Sequence, residues 1–325
     1  MATVNSGKLI TVFGGSGFVG RQVVRSLAKR DYRVRVACRR PDLAGHVVPS
    51  GGPGQIVPVQ ANVRFPASLA AACDGAYAVI NLTAVFHDAG AQSFDAVHVF
   101  GAEAVAKAAK AAKAELFIHM SGIGTDLPSA SAYVKSRAEG EARAKAAYSN
   151  VMILRPSIIF GAEDRFFNKF AHMARFSPII PLIGGDTKFQ PVFVGDVAEA
   201  CANLVDRGVA DGKIYELGGP EQKTFAELMA YMLGVIQRSR VLLPLPFPVA
   251  SLIGAIAGIL PNAPITMDQV EMLKTDNLVS AKALAEGRSL QGLGIVARSI
   301  SSIVPAYLYR FRKAGQFTVP NVTPE

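Results

Sequence analysis

Three glycines near the start of the chain have the type and spacing to hold a phosphate-bearing nucleotide. They lie in Gly-Gly-Ser-Gly-Phe-Val-Gly, which follows an apolar, β-branched run and precedes a helical pattern. Gly14 permits a tight turn, Gly17 lets backbone N–H groups approach a pyrophosphate, and Gly20 lets the helix lie close to the strand. We therefore expect a bound dinucleotide here; the alternative is an incidental glycine-rich turn. The predicted phosphate-contacting residues are Gly14, Ser16, Gly17, Phe18, Val19 and Gly20.

Two arginines follow the second predicted strand, where the adenosine ribose of a dinucleotide would lie. An acidic residue at this position would bind the 2′-hydroxyl of NAD, but the sequence reads Cys-Arg-Arg-Pro. A guanidinium suits a 2′-phosphate through paired charge-assisted hydrogen bonds. Arg39 and Arg40 therefore predict NADP(H) as the cofactor; the alternative is that both are solvated arginines at the start of a helix.

Short polar or small segments follow the third and fourth predicted strands. Asn62 and Val63 come after the third strand, and Leu82, Thr83 and Ala84 come after the fourth. The ends of parallel strands meet at one edge of a sheet, where the nucleotide binds. We expect these five residues to contact the adenine and ribose side of the cofactor.

The elements that would position these residues alternate between strand and helix over the first half of the chain. Apolar strands with helices between them indicate a parallel sheet that is covered on both faces. The fold class is therefore expected to be α/β, a Rossmann doubly wound parallel sheet with a smaller, mainly helical C-terminal domain. The predicted strands are residues 8–13, 33–38, 55–59, 76–82, 115–120 and 151–154, and the predicted helices are residues 18–30, 66–73, 92–113 and 130–147.

This rhythm ends after about residue 155, where prolines become frequent. We expect residues 1–160 to form the nucleotide-binding domain, with residues 189–218 returning to its sheet. The smaller, partner-facing domain would then consist of residues 161–188 and 219–325.

Composition limits the function classes. The chain has 325 residues and a net charge of +9, but its lysines and arginines are scattered, which argues against nucleic acid. Its three cysteines and five histidines show no metal-ligand spacing, so no metal site is expected. The first residues resemble neither a signal peptide nor a transit segment, which predicts that the protein stays in the compartment where it is made.

Residues 241–260 carry no charge. Their number would suffice for a membrane span, but Pro244, Pro246 and Pro248 interrupt the first half. Packing in the core and contact with a membrane surface or partner are therefore favoured over a span.

The order of these motifs resembles the extended and atypical branch of the short-chain dehydrogenase/reductase superfamily. The resemblance implies a catalytic Ser or Thr after the fifth strand and a Tyr-x-x-x-Lys pair on the next helix. Ser121 and Tyr133 match, but Arg137 occupies the lysine position, Lys135 lies at i+2, and Gly122 stands where many members carry a second Ser or Thr. The catalytic set Ser121, Tyr133 and Arg137 is thus expected to be vestigial. The resemblance also places Ser121, Tyr133, Arg137, Pro156 and Ile158 around the cofactor.

Further segments narrow the resemblance. Residues 97–103, 154–168 and 189–198 are similar to the dehydrogenase-like accessory subunits of respiratory complex I, and the similarity extends from about residue 8 to residue 219. The resemblance implies a subunit that holds NADPH without known turnover, against the membrane arm of the complex. Without a transit segment, we expect a bacterial version, peripheral on the cytoplasmic side of the inner membrane and in contact through its C-terminal half. The other hypotheses are an active NADP-dependent reductase or epimerase of unknown substrate and a nucleotide sensor that regulates a partner.

Overall fold

The computed structural model describes residues 5, 7–88, 90–257 and 266–313. Contacts group the chain into two compact units. The first comprises Met1–Ser157, Val194–Gly218 and Leu278–Ala297, and the second comprises Ile158–Phe193, Gly219–Asn277 and Arg298–Glu325. The predicted domain boundaries stay a prediction; they assigned residues 278–297 to the smaller domain, whereas the contacts group this segment with the first unit.

The strands are β1 (Leu9–Phe13), β2 (Arg33–Cys38), β3 (Ile56–Gln60), β4 (Ala78–Asn81), β5 (Leu116–Met120), β6 (Met152–Pro156), β7 (Ile159–Phe160), β8 (Ile179–Ile183), β9 (Lys188–Phe189), β10 (Val192–Phe193), β11 (Ile214–Leu217), β12 (Lys223–Thr224) and β13 (Val241–Leu245). The α-helices are α1 (Phe18–Ala28), α2 (Pro66–Cys73), α3 (Phe100–Ala111), α4 (Ala132–Ala147), α5 (Phe167–Phe176), α6 (Val194–Arg207), α7 (Phe225–Val235), α8 (Phe247–Ala257), α9 (Met267–Met272), α10 (Ala281–Ala285) and α11 (Ile300–Leu308).

The first unit is built on a seven-stranded sheet in the order β11-β6-β5-β4-β1-β2-β3. Every pairing within it is parallel. The strand order reverses beside β1, so the carboxyl ends of β1 and β4 border the crevice in which doubly wound sheets bind ligands. The predicted α/β, Rossmann-type fold is confirmed.

Helices cover the sheet because its strands are apolar on both sides. All residues of β4, β5 and β6 are buried, which explains their continuous apolar sequences. Helix α1 packs against α6, and α3 packs against α2 and α4. One large core cluster contains Phe13, Leu69, Val105, Phe117 and Ile153, which come from three strands and two helices.

The predicted helix 92–113 agrees with the structure from residue 94, but its first part is π-helical rather than α-helical. Asp95–Val99 forms a π-helical turn, and α3 begins only at Phe100. Helix α4 lies close to this turn, since a Cβ atom on Gly140 would come within 2.1 Å of the His98 carbonyl oxygen. Such π turns inside helices are frequent at functional sites, and here the turn places His98 beside α4.

The expected return of residues 189–218 to the main sheet is wrong in its first part, residues 189–193. Strand β9 pairs with β12, and β10 pairs with β7, in separate two-stranded ribbons of the second unit. Pro191 lies between β9 and β10 and has no N–H group for a continuous ladder. Helix α6 and strand β11 do belong to the first unit, and β11 joins the main sheet beside β6.

Buried Asp164 organises the second unit. Its carboxylate accepts hydrogen bonds from the backbone N–H groups of Gly161, Phe166 and Asn168 and from the Tyr307 hydroxyl at 2.6 Å. These contacts tie the loop before α5 to α11. Burial raises the pKa of Asp164 although the four donors oppose that shift. A structural role therefore accounts for Asp164, which lies in one of the segments that the sequence interpretation singled out.

The uncharged run forms strand β13 and then α8, while residues 258–260 lie outside the described residues. Strand β13 pairs with β8 in parallel, and Pro244 is tolerated because the ribbon has only two strands. In α8, Ala250 is fully buried, whereas Leu252 is 63% and Ile253 is 42% exposed. In the described parts of the chain, no helix has the length and apolar character to cross a membrane.

Candidate functional site

The glycine turn connects β1 to α1. Gly14 has a φ of +75°, a conformation that favours glycine, and its carbonyl accepts a hydrogen bond from Gly17 N–H at 3.1 Å. A Cβ atom on Gly20 would lie 2.2 Å from the Gly14 carbonyl oxygen, so the helix can approach the turn only without a side chain. A Cβ atom on Gly17 would meet only that same oxygen, at 3.3 Å. This position is therefore open on its other sides.

Gly17 is the N-cap of α1, and no side chain caps the helix. The N–H groups of the first helical turn, Phe18 to Gly20, have no partner within the helix. Together with the positive end of the helix dipole, they suit a phosphate. Ser16 is half-buried in the turn, and its carbonyl lies 3.1 Å from Nε2 of His46.

Both predicted 2′-phosphate ligands are exposed and already have internal partners. Arg39 donates to the side-chain oxygen of Gln92. Arg40 forms a two-pronged pair with Asp42, in which Nη2 lies 2.7 Å from Oδ2. The Arg40 guanidinium lowers the pKa of Asp42. The sequence interpretation overlooked Asp42, an acidic residue two positions beyond the arginine pair, which competes for Arg40.

The residues that follow β4 lie close to the glycine turn. Leu82 donates its N–H to the Phe13 carbonyl, and its own carbonyl carbon would lie 3.3 Å from a Cβ atom on Gly14. Thr83 donates its hydroxyl to Asn81, and Ala84 is exposed beyond it. These residues stand at the carboxyl end of β4, beside the end of β1.

The side chains of Asn62 and Val63 face their own loop and helix α3. Asn62 accepts a hydrogen bond from the Arg64 N–H at 3.1 Å. The buried Val63 side chain would lie 2.9 Å from a Cβ atom on Gly101. Their roles as cofactor contacts stay predictions.

The predicted catalytic residues lie at the end of β5 and on the first turns of α4. Ser131 caps this helix by accepting the Val134 N–H, and Tyr133 and Arg137 lie one turn apart on it because they are four residues apart. Tyr133 is half-buried and stacks on Phe86, with ring centroids 5.8 Å apart. Lys135, in contrast, is exposed.

Arg137 is 97% buried, with a relative exposure of 3%. Its Nη2 donates to the Met120 carbonyl, but Nε and Nη1 have no hydrogen-bond partner. The hydroxyl of Ser121, which follows β5 directly, is likewise buried without a partner. Buried polar groups normally find partners. Three unsatisfied polar atoms at the end of β5 and on α4 therefore indicate a ligand with hydroxyl or phosphate oxygens.

Two buried histidines, which the sequence interpretation missed, line this region. His98 accepts the Val85 N–H on Nε2 at 3.0 Å, so its Nδ1 carries the proton and donates to Ser136 at 2.9 Å. His119 lies 3.2 Å from the Asn81 amide nitrogen. Burial and the charge of Arg137 lower the pKa of each histidine to about 3. A histidine in the apolar sequence of β5 was the available signal for His119.

Both histidines are therefore neutral at physiological pH and add no positive charge beside Arg137. Arg137 also has no ion-pair partner among the described residues. By contrast, buried Arg155 forms a two-pronged pair with Glu141, at 2.7 Å and 3.0 Å.

Pro156 ends β6, and its carbonyl accepts the Ile123 N–H at 3.1 Å. Ile158 begins the second unit, where its carbonyl accepts the Val192 N–H. Pro156 thus belongs to the first unit and Ile158 to the second, and their role as cofactor contacts stays a prediction. The described part of the chain also contains no group of three or more His, Cys, Asp or Glu residues arranged to hold a metal ion.

The glycine turn, the uncapped helix and the unsatisfied donors fit a nicotinamide dinucleotide. The glycine turn and α1 would hold the pyrophosphate, and Arg137 and Ser121 would bind ribose hydroxyls. The nicotinamide ring, when bound, supplies the capacity to accept or give a hydride.

The fold and this site define a protein with a Rossmann-type NAD(P)H-binding domain. A family model described as NAD(P)H-binding matches residues 14–163. The NADPH-dependent quinone oxidoreductase of Escherichia coli, solved with NADPH, has a TM-score of 0.73 and 21% identity, over 92% of this chain and 99% of that one. This likeness supports the fold.

Curated relatives identify the family. The chain is 35% identical over 323 residues to NADH dehydrogenase (ubiquinone) 1 alpha subcomplex subunit 9 of Arabidopsis thaliana, covering 95% of this chain and 79% of that protein. It is also 29% identical to the ceramide reductase of Caulobacter vibrioides, over 88% of this chain and 90% of that protein. The chain belongs to the family of the alpha subcomplex subunit 9 proteins.

Proposed function

We propose that this protein is an accessory subunit of respiratory complex I that holds NADP(H) without turning it over. The observation that carries the proposal is the identity of 35% across nearly the whole chain with a protein named as a subunit of NADH dehydrogenase. The glycine turn and the unsatisfied donors of Arg137 and Ser121 support retention of a dinucleotide.

The proposed lack of catalytic turnover follows from Arg137 on α4. In the superfamily a lysine at this position assists the tyrosine, since a nearby ammonium favours the phenolate and can pass protons onward. Arg137 keeps the charge, but a guanidinium does not release its proton. One of its Nη groups is also committed to the Met120 carbonyl. Arg137 thus suits binding of the cofactor better than proton transfer.

We infer that NADP(H) is preferred over NAD(H), because Arg39 and Arg40 follow β2 with their guanidinium groups exposed. In Arg39→Ala/Arg40→Ala, NADPH affinity is expected to fall about 10–100-fold, since a charged hydrogen bond contributes about 1.5–3 kcal/mol. NADH affinity should change little. Calorimetric titration with both nucleotides measures the difference.

Asp42→Asn provides the matched control for cofactor choice. Removing this carboxylate frees Arg40 from its pair, so NADPH should bind more tightly than to the wild type. Equal affinity of the wild-type protein for NADPH and NADH would refute the 2′-phosphate assignment.

The position in the cell is proposed as peripheral, on the cytoplasmic side of a bacterial inner membrane, with the C-terminal half in contact with complex I. Exposed Leu252 and Ile253 on α8 support a contact through that half. A tagged protein purified from native membranes is expected to bring complex I subunits with it. Leu252→Asp/Ile253→Asp should weaken that association strongly while NADPH binding persists.

The control for this experiment is Ala250→Asp, because Ala250 is fully buried in the same helix and its substitution should destabilise the second unit. Purification of wild-type protein without any complex I subunit would contradict the proposed partner.

The second candidate function is an active NADP-dependent reductase, favoured by the 29% identity to a ceramide reductase and by the presence of Ser121 and Tyr133. NADPH oxidation with aldehydes, ketones and quinones distinguishes the two candidate functions. If the wild-type protein oxidises NADPH and Tyr133→Phe abolishes this activity, the reductase is favoured. If the wild-type protein shows no turnover, the accessory role is supported.

A further inference from the structure

Four arginines lie together in the second unit, around the carboxyl ends of two helices. Arg240 donates from Nε to the Ala174 carbonyl near the end of α5, and Arg312 donates from Nε to the Val235 carbonyl that ends α7, at 2.8 Å and 2.9 Å. Arg238 donates from Nε to the Phe311 carbonyl at 2.8 Å. Arg175 is exposed on the last turn of α5. We call Arg175, Arg238, Arg240 and Arg312 the arginine cluster.

Helix ends explain only part of this arrangement. Cations near the carboxyl end of a helix are favourable, and each Nε satisfies one backbone carbonyl. The Nη groups of Arg238 and Arg312, however, make no hydrogen bond to any described residue. A guanidinium has five N–H donors, so most of the donors of these two side chains remain for a ligand.

The charges of the cluster are not neutralised within the described ranges of the chain. None of its four members is within 4.0 Å of a described carboxylate oxygen, although other arginines and lysines of the described residues form ion pairs. Partial burial and the like charges of Arg240 and Arg175 lower the pKa of Arg238. A bound anion would relieve this repulsion.

An open cavity of about 460 Å³ lies at the cluster. Arg238, Ser239 and Arg240 line it together with Leu233, Gly234 and Leu242. Two arginines and a serine therefore line it together with apolar residues. This chemistry suits a group with phosphate oxygens on one side and hydrocarbon on the other.

Exposed apolar side chains flank the cluster on adjacent positions of α5, β8 and β13. Phe176 is 73% exposed beside Arg175, and Val241 is 61% exposed beside Arg240. Ile179 and Leu243 are exposed on the same paired strands. Exposed apolar residues next to uncompensated arginines are typical of protein surfaces that lie on anionic membranes.

We propose that the arginine cluster and its cavity bind the phosphate of an anionic phospholipid headgroup, with Phe176 and Val241 entering the edge of the hydrocarbon. The site lies within one unit, and the proposal does not depend on assembly with complex I. An acidic protein segment would match the charge but would leave the exposed aromatic and aliphatic side chains unexplained.

The test is flotation of the full chain with vesicles. Wild-type protein is expected to bind vesicles of phosphatidylcholine with about one third phosphatidylglycerol and to bind pure phosphatidylcholine vesicles weakly. Arg175→Gln/Arg238→Gln should lower the affinity for anionic vesicles about 10–30-fold, since each basic residue near such a surface contributes about a factor of five. Glycerol 3-phosphate in solution should compete only poorly, because it lacks the hydrocarbon.

The matched control is Lys110→Gln/Lys145→Gln, which removes the same net charge from exposed positions in the first unit. It should change vesicle affinity less than about 3-fold. The single variant Arg175→Gln removes no hydrogen bond between the cluster and the backbone. It can therefore replace the double variant if the double variant misfolds. An unchanged melting temperature confirms that each variant is folded.

Three results would overturn the proposal. The control could lose as much affinity as the cluster variant, which would indicate diffuse charge. Wild-type protein could bind neutral and anionic vesicles equally. It could also ignore anionic vesicles and bind polyglutamate instead, which would assign the arginines to an acidic protein.

Discussion

Gly17→Val is expected to abolish NADPH binding while the chain stays folded. The new Cβ atom would meet only the Gly14 carbonyl oxygen, at 3.3 Å, a tight contact that a small shift of the turn would relieve. The two methyl groups would occupy the open space next to the first turn of α1, where we place the pyrophosphate. The N-cap position costs about 1 kcal/mol at most when glycine is replaced by an apolar residue. In thermal unfolding, the variant should show no stabilisation by NADPH.

Gly20→Ala is the contrasting variant. Its Cβ atom would lie 2.2 Å from a backbone oxygen of the turn, so it should lower the melting temperature even without nucleotide. For the wild type, NADPH at one hundred times its Kd should add about 2.7 kcal/mol to the free energy of unfolding. A full NADPH-induced shift in Gly17→Val would place the phosphates elsewhere.

Arg137→Met is expected to change stability and binding in opposite directions. Burial of a cation without a carboxylate partner is costly, and its replacement by an apolar side chain of similar length should stabilise the nucleotide-free protein by about 1–3 kcal/mol. The same change removes the two unsatisfied guanidinium donors that we assign to the ribose, so NADPH affinity should fall about 10–100-fold. Urea unfolding and calorimetric titration measure the two effects.

Lys135→Met serves as the control for Arg137→Met, because Lys135 is exposed two positions away on the same helix. Lys135→Met should change neither the free energy of unfolding nor the NADPH affinity appreciably. Loss of stability together with unchanged NADPH binding in Arg137→Met would assign Arg137 a structural role, through its hydrogen bond to the Met120 carbonyl.

Local patterns predicted most of the first unit because its strands are buried on both faces and its helices are regular. The predicted strand 33–38 and helix 66–73 agree with β2 and α2 at both ends. Sequence patterns failed where tertiary contacts decide the conformation. The π turn before α3 depends on contact with α4 at Gly140, and the ribbons of β9 and β10 depend on partners far along the chain.

The candidate site divides in the same way. The glycine turn has a local geometric cause, so its spacing was visible in the sequence. The pairing of Arg40 with Asp42 and the burial of Arg137 depend on side-chain placement in three dimensions. His98 and His119 are not part of a recognisable sequence motif, and only the structure shows that both lie near Arg137.

The neutral state of these two histidines makes folding of the protein a proton-linked equilibrium. In the folded chain their pKa values are about 3, whereas an unfolded histidine titrates near pH 6.5. As the pH falls below 6.5, the two histidines become protonated in the unfolded chain but stay neutral in the folded chain. Each histidine then removes up to about 1.4 kcal/mol of stability per pH unit until the pH approaches 3. The buried imidazoles thus leave the stability of the folded protein unchanged at neutral pH and lower it in acid.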